Sequence, residues 1–444
     1  MNTSTVQIQE TTTIQIEDTT AIQIQETVRN TRERLEADFS KLGTKIHRFP
    51  RGLPPAVDER YIIPSFVSLG PYHHDKEHLQ ETEELKHAAA HYLCEKSGHS
   101  VEEVYGKILS IAGEARSCYA HDAVAKFTDP EFAVMMFLDG CYLLCYMEMN
   151  FTRPMLTNRM ILSTGPCMLR DIFLLENQLP WLVLEALTDF LMPSPAYDFV
   201  IDFAKKFDIT PQYLSDSDSN GARVSVDELK IYRPPHLLGL LRYHLIGDMT
   251  GKDHTHSLTC SSLASSATEL AEIGIKLTSN SKTWFADMSM QRDPIFVGQL
   301  SLTPLFINDA NACWLVNMAA YEACVSSTYP ADGFVISSYI SILAMLMDKE
   351  EDVHELRAKH LLCSFLSNHG LLVFFKDLAR HMRLGNSYFV IIGKIEMFKR
   401  EKPVTVAVHR FVYKNFKTIV AVLSIAGVLA GIFRTLMSLK HHEP

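Results

Sequence analysis

The residues of this chain best suited to chemistry fall in two clusters. One is Gly70-Pro71-Tyr72-His73-His74, with His78 four residues beyond it. The other is Glu176-Asn177-Gln178, followed by Pro180. Three histidines so close together invite a metal or acid–base reading. Adjacent histidines in a turn point different ways, however, and no cysteine or acidic residue recurs at zinc-site spacing. Packing at a loop is the expected role of His73 and His74. Glu176 is placed more pointedly. Leu169, Ile172, Phe173 and Glu176 recur at helical spacing, which puts a carboxylate on an apolar stripe. A buried carboxylate must be paired, or its pKa rises until it holds a proton. It can be a tuned general acid, or a brace accepting hydrogen bonds from an arginine or from backbone donors, alongside Asn177 and Gln178. With no nucleophile or second acid in view, the brace is expected.

Other groupings carry less. Cys141 and Cys145 are four apart, so both thiols share one helix face, where apolar neighbours keep them inert. His354-Glu355 and His360 resemble a zinc-protease motif, but histidines six apart lie about 240° round a helix, not on one face. The chain has no G-x-S-x-G elbow, Walker loop or G-x-G-x-x-G. Asp253, His254, His256 and Cys260 belong to a polar linker, expected to be solvated rather than metal-bound. No cofactor and no metal is expected. A net charge of −10 argues against a general nucleic-acid binder. The cysteines number nine and sit mainly in apolar helices, which suits a reducing compartment better than a disulfide scaffold.

The elements that position these residues are mostly helices. Residues 5–28 repeat with a period of eight, TVQIQETT, TIQIEDTT, AIQIQETV, and their polarity predicts a disordered tail leading to a short charged helix before residue 44. The globular domain is expected over 45–415. Its helix signals include a cap at Asp75, a capping box at Ser100 and Glu103, and a start at Asp129-Pro130-Glu131. That last start opens FAVMMFLDGCYLLCYM (Phe132–Met147), apolar nearly all round and so a central core helix. RDIFLLENQLPWLVLEAL (Arg170–Leu187) predicts a helix pair divided at Pro180. SDSDSNG (Ser215–Gly221) and Gly247–Ser262 read as polar linkers. Strand signals crowd into 273–307, predicting a small antiparallel sheet, and helices resume from Ala310 to about Met382. The class is mainly α (α+β), one large helical domain with a small sheet.

Thr418–Leu439 is of another kind: TIVAVLSIAGVLAGIFRTLMSL carries no charge until Arg434. As a helix its 22 residues span roughly 33 Å, enough to cross a bilayer, with Arg434 able to snorkel to the interface. A single transmembrane helix is expected over 418–439, ahead of a short tail at 440–444. The chain begins with no apolar signal-like run, and basic residues from Lys394 to Lys417 precede the span. Insertion after synthesis, with a cytosolic body, is the expectation. The sequons at Asn2 and Asn150 point the other way. Gly427 and Gly431 share one face of the span beside Ala426 and Ala430, the small-xxx-small pattern of closely packed helix pairs, so a homo-oligomer within the bilayer is a further expectation.

Several blocks, taken together and in order, resemble the plant domain-of-unknown-function 247 family. They are IPSFVSLGPYHHDKEHL, DGCYLL, RDIFLLENQLPW, HLLGLLR, SATELAEIGIKL, LVNMAAYEAC, ISSY and EDVHELR, followed by one C-terminal span. The resemblance covers about Ile46 to Leu439. It weakens at Met290–Pro294, where many members have a glycine-centred turn, and the repeat tail is extra. It implies a mostly helical domain fixed to a membrane by its C-terminus, and no known chemistry. Some similar grass members are associated with the S and Z self-incompatibility loci as candidate pollen-side determinants. The expected function is accordingly a membrane-anchored, non-enzymatic recognition or signalling protein with partners among proteins and lipid, in its specific form a self-incompatibility determinant. The alternatives are a hydrolase with a site near His73, His74 and Glu176, and a general defence or stress scaffold.

Overall fold

In a computed structural model, the structure describes residues 27–29, 31–32, 45–53, 58–148, 167–192, 195–204, 231–247, 265–280, 285–292, 298–325 and 334–440. The repeat tail, the Asn150 sequon, Ser215–Gly221 and most of the 247–262 linker lie outside them. Buried apolar side chains from Ile46 to Phe398 form one continuous core rather than two.

The first half is a helical cluster built around α3 (Asp129–Met147). Thr128 caps α3 in a capping box with Glu131, one residue ahead of the expected start. Thirteen of its residues are buried, because the helix is apolar on every side and must be surrounded. It is long and apolar enough to cross a membrane, yet 78% of its apolar window is enclosed, which makes it a core helix. Around it pack α1 (Glu83–Ser97), α2 (Val101–Ser117, with the capping box at Ser100 and Glu103) and α4 (Trp181–Leu191). Asp75 caps no helix. It pairs with Lys126, and a 3-10 turn over Glu77–Thr82 intervenes before α1. The chain is helical over 167–171 and then runs through turns and irregular backbone to 180, so of the expected helix pair only α4 forms at length, with Pro180 as its N-cap. Next come α5 (Ala196–Ala204) and α6 (Leu237–Ile246).

A short helix, α7 (Ala267–Glu272), leads into the sheet. Strands β1 (Ile275–Ser279), β2 (Ser289–Arg292) and β3 (Gly298–Leu302) lie in the order β1-β3-β2. β2 pairs antiparallel with β3, whereas β1 pairs parallel with it, Ile275 opposite Gly298. The sheet is therefore mixed, which corrects the antiparallel expectation. The physical reason is that β3, with Leu300 and Leu302 fully buried, takes the centre between the two earlier strands. Gly298 permits this: a Cβ there would stand 2.8 Å from Met290 Cε and 3.0 Å from Ile275. Beyond it, β4 (Leu305–Ile307) pairs parallel with β5 (Leu362–Ser364), a strand that sequence periodicity did not reveal.

The second half centres on α9 (Val335–Leu346), flanked by α8 (Asp309–Val325), α11 (Asn368–Ala379) and α12 (Asn386–Glu401), with α10 (Glu350–Ala358) beside α11. The last element, α13 (Pro403–Lys440), is a single helix of 38 residues that leaves the body with its apolar side chains exposed.

Gly140 sets the spacing of α3 and α4, because the Leu187 side chain occupies the space a Cβ would need. Gly140→Val should force Leu187 out of place and destabilise the body by about 1–3 kcal/mol, as over-packed cores do. A chemical-denaturation midpoint equal to that of the unsubstituted protein would mean the two helices do not pack this closely.

Candidate functional site: a side-chain lattice beneath the GPYHH segment

Residues 66–70, after the exposed Ser65, run buried and without regular secondary structure. An extended segment with no sheet partner leaves its N–H and C=O groups to be satisfied by side chains. Asp171 satisfies three N–H groups here. Its Oδ2 accepts from the backbone N–H of Ser65 at 2.9 Å, Phe66 at 2.6 Å and Val67 at 3.1 Å. Asn177 Oδ1 accepts from Leu69 N–H at 2.7 Å, and its Nδ2 donates to the carbonyls of Val67 and Asp171, both at 3.0 Å. Asp139 accepts from Gly70 N–H at 2.8 Å, and Thr82 donates to the Phe66 carbonyl at 2.8 Å.

Asp139 is itself enclosed, so it needs a counter-charge. Lys86, fully buried, provides it at 2.7 Å and also reaches Glu83 at 2.7 Å and Ser68 at 3.2 Å. Burial drives the Asp139 carboxyl up and the ammonium opposes that rise. Burial likewise pushes Asp171 up to about 6, against the pull of its three N–H donors and Arg170.

The two sequence clusters meet here. Gly70 adopts φ +75, open to glycine at little strain, and a Cβ would stand 2.7 Å from Tyr119 Oη and 3.1 Å from the Gln178 carbonyl. Pro71 is buried. Tyr72 donates to the Ile46 carbonyl at 2.9 Å and accepts from Ala120 N–H at 3.2 Å. His73 is buried, with Nε2 3.2 Å from Glu176 Oε2. His74 instead stacks edge-on against Phe127, and His78 contacts the Pro64 carbonyl. The three histidines therefore do not converge, and among the described residues no group of three or more metal-ligating side chains is present.

Glu176 sits in a turn rather than on a helix stripe. Its Oε1 accepts from Phe49 N–H at 2.8 Å. Burial works to raise its pKa, but the His73 ring, the Phe49 N–H and the nearby Arg48 outweigh it and hold the carboxyl below its ordinary value. Gln178 is fully engaged, donating to the Ile172 and Leu174 carbonyls at 2.8 and 2.9 Å and accepting from Leu238 N–H at the start of α6 at 2.9 Å. Pro180 directs the chain into α4. Asn317, buried in α8, completes the lattice by accepting from Leu175 N–H and donating to the Tyr61 carbonyl.

A family model described as a plant protein of unknown function, DUF247, matches residues 46–430. The chain belongs to this family. A UPF0481 protein of Arabidopsis thaliana is 25% identical over 358 residues, covering 73% of this chain and 70% of its own length. A second, described as a putative UPF0481 protein of the same plant, is 28% identical over 162 residues, 36% of this chain and 30% of its own length. No solved structure matches the chain.

In this DUF247 protein Glu176, Asn177 and Gln178 are each bonded to backbone groups. Asp139 and Asp171 lie within the family-like blocks DGCYLL and RDIFLLENQLPW, but sequence reasoning did not single them out. The signal was available: each is a lone carboxylate in an apolar run. Cys141 and Cys145 are buried, and burial pushes the Cys145 thiol up to about 12, away from nucleophilic use. A cleft of about 510 Å³ opens beside His74 and Phe127, with Asp139 and Glu83 at its polar side and Met135 and Leu138 at its apolar side.

Two measurements probe the lattice. Asp171→Ala orphans three backbone donors, and at about 1–3 kcal/mol each the loss should exceed about 3 kcal/mol in chemical denaturation. A loss under 1 kcal/mol would mean water replaces the carboxylate. The second is pH-dependent. Because the folded pKa of Glu176 is depressed, the unfolded chain binds more protons, and the stability it adds is present above its unfolded pKa and fades as pH falls through the folded one. The stability gap between the native protein and Glu176→Gln should therefore shrink on acidification below about pH 4.5, near the ordinary glutamate pKa. A gap constant down to pH 3 would show the carboxylate to be unperturbed.

Proposed function

We propose that this protein is a single-pass, membrane-anchored recognition module whose helical body binds partners rather than transforming a substrate. One observation carries the anchoring: α13 is long and apolar enough to cross a bilayer, and none of its most apolar 18-residue stretch is buried. A 38-residue helix extends about 57 Å, well beyond what the body covers. Val422, Leu423, Ile425, Val428 and Leu429 are each about 60% exposed, a continuous apolar surface that a bilayer would cover. Lys and Arg concentrate on the body side of the span, which supports a cytosolic body.

Support for a binding role comes from how the polar side chains are engaged. Asp171, Asn177, Gln178 and Asp139 hold backbone or a counter-ion, and Glu176 braces Phe49. The His73–Glu176 contact favours the rival hydrolase reading, which also requires a nucleophile beside them. The self-incompatibility role is our extension from the family likeness alone. It predicts that allelic differences fall on exposed faces while the lattice residues stay fixed. Self-association through the span is part of the same proposal, since the faces of Gly427 and Gly431 are open to close approach, with nothing within 4 Å of either Cβ position. Replacing both with Leu should weaken dimerisation in a membrane reporter assay.

Ending the chain at Lys417 preserves the first turns of α13 and removes the span. In alkaline carbonate the full chain should stay in the membrane pellet while the shortened one moves to the supernatant. Release of the full chain under the same treatment would defeat the anchoring.

A further inference from the structure

The part of α13 ahead of the span is held by the body in a way that fixes where the body stands. Gly274, at φ +84, leaves a space into which the His409 ring packs; a Cβ there would stand 2.8 Å from the ring. Val406 packs against the core, and Lys414 Nζ lies 3.7 Å from Glu272. The uncharged stretch starts at Thr418, four residues beyond Lys414 and so about 6 Å further along the helix. The polar layer on each face of a bilayer is of similar depth, about 5–8 Å. The corner between α7 and β1 thus falls at headgroup level.

The charged and aromatic side chains of this segment suit that level. Arg410, Lys414 and Lys417 fall within an arc of about 60° on the helix, at 100° per residue. Phe411, Tyr413 and Phe416 are 63%, 50% and 60% exposed, ring side chains of the kind enriched at membrane interfaces. Charge is complementary to anionic lipid. A chain of net −10 carries seven cations against two carboxylates between Lys394 and Lys417.

We propose that residues 403–417 of α13, with the α7–β1 corner, form a seat for anionic phospholipid headgroups, with Arg410, Lys414 and Lys417 as its cationic contacts. The proposal rests on the anchored reading and adds to it a lipid selectivity and a fixed standing of the body. The seat takes lipids of the leaflet next to the body, and its cations act before the chain enters hydrocarbon.

The test uses the full chain in nanodiscs of phosphatidylcholine containing a minority of phosphatidylserine. Lipids retained by the protein are counted by native mass spectrometry. Phosphatidylserine should be enriched over its share of the disc. Arg410→Gln with Lys417→Gln should lower that enrichment about fivefold per cation removed. Lys414 is left in place to keep its contact with Glu272. The double variant should insert into pure phosphatidylcholine discs, and melt, as the unsubstituted protein does, which separates lipid contact from folding. Equal enrichment for both proteins, or none for the unsubstituted one, overturns the seat while leaving the span intact. Failure of the full chain to enter pure phosphatidylcholine discs overturns the span and the seat together.

Discussion

A backbone that enters the core without joining a helix or a sheet must find partners for its polar groups, and residues 65–70 find most of their N–H partners among side chains. Their donors are met by Asp171, Asn177 and Asp139, and the Phe66 carbonyl by Thr82. Much of the architecture follows from supplying those partners. Asp139 requires Lys86, which ties α1 to α3. Asp171 and Asn177 require residues 172–179 to coil into turns rather than a helix. Gln178 then reaches the start of α6, and Asn317 brings in α8. Four helices are thus positioned by one segment too apolar to be exposed and too irregular to satisfy itself.

The second half uses the same device at helix starts. Glu322 on α8 accepts from the N–H groups of Ile336 and Ser337 at 2.9 Å each and pairs with Arg242 of α6 at 3.0 Å, so a buried carboxylate faces the positive end of α9. Asp352 accepts from Thr268, Asp348 and Lys349, joining α7 to the start of α10. Burial would raise its pKa, but those donors hold it below the ordinary value. In both places the carboxylate is structural, and its donors come from two or more elements.

How much of this was legible in the sequence depended on the range of the interaction. Local signals read well: the Ser100–Glu103 box, the apolar run of α3 and the emergent helix at the C-terminus are fixed by residues within a few turns. Element type failed where distant partners decided it. The stretch around Glu176 has helical spacing, yet its side chains serve backbone about a hundred residues away, and those bonds outcompete the helix. The sheet's order was hidden for a similar reason: the choice of β3 as centre depends on Gly298 fitting between Met290 and Ile275. β5 was missed because three residues carry no readable alternation. Glu176 stands out in the sequence as a brace candidate, whereas Asp171, which accepts from three backbone N–H groups, does not.

The bond from Asn317 to the Tyr61 carbonyl spans 256 positions of the chain. A ribosome adding 5–20 residues per second needs roughly 13–50 s to cover that distance. During this interval Tyr61 and the apolar run after it are already outside the exit tunnel, while their last partner has not been made. The Tyr61 carbonyl therefore waits that long for the Asn317 amide. Slow codons ahead of Asn317 would lengthen that wait.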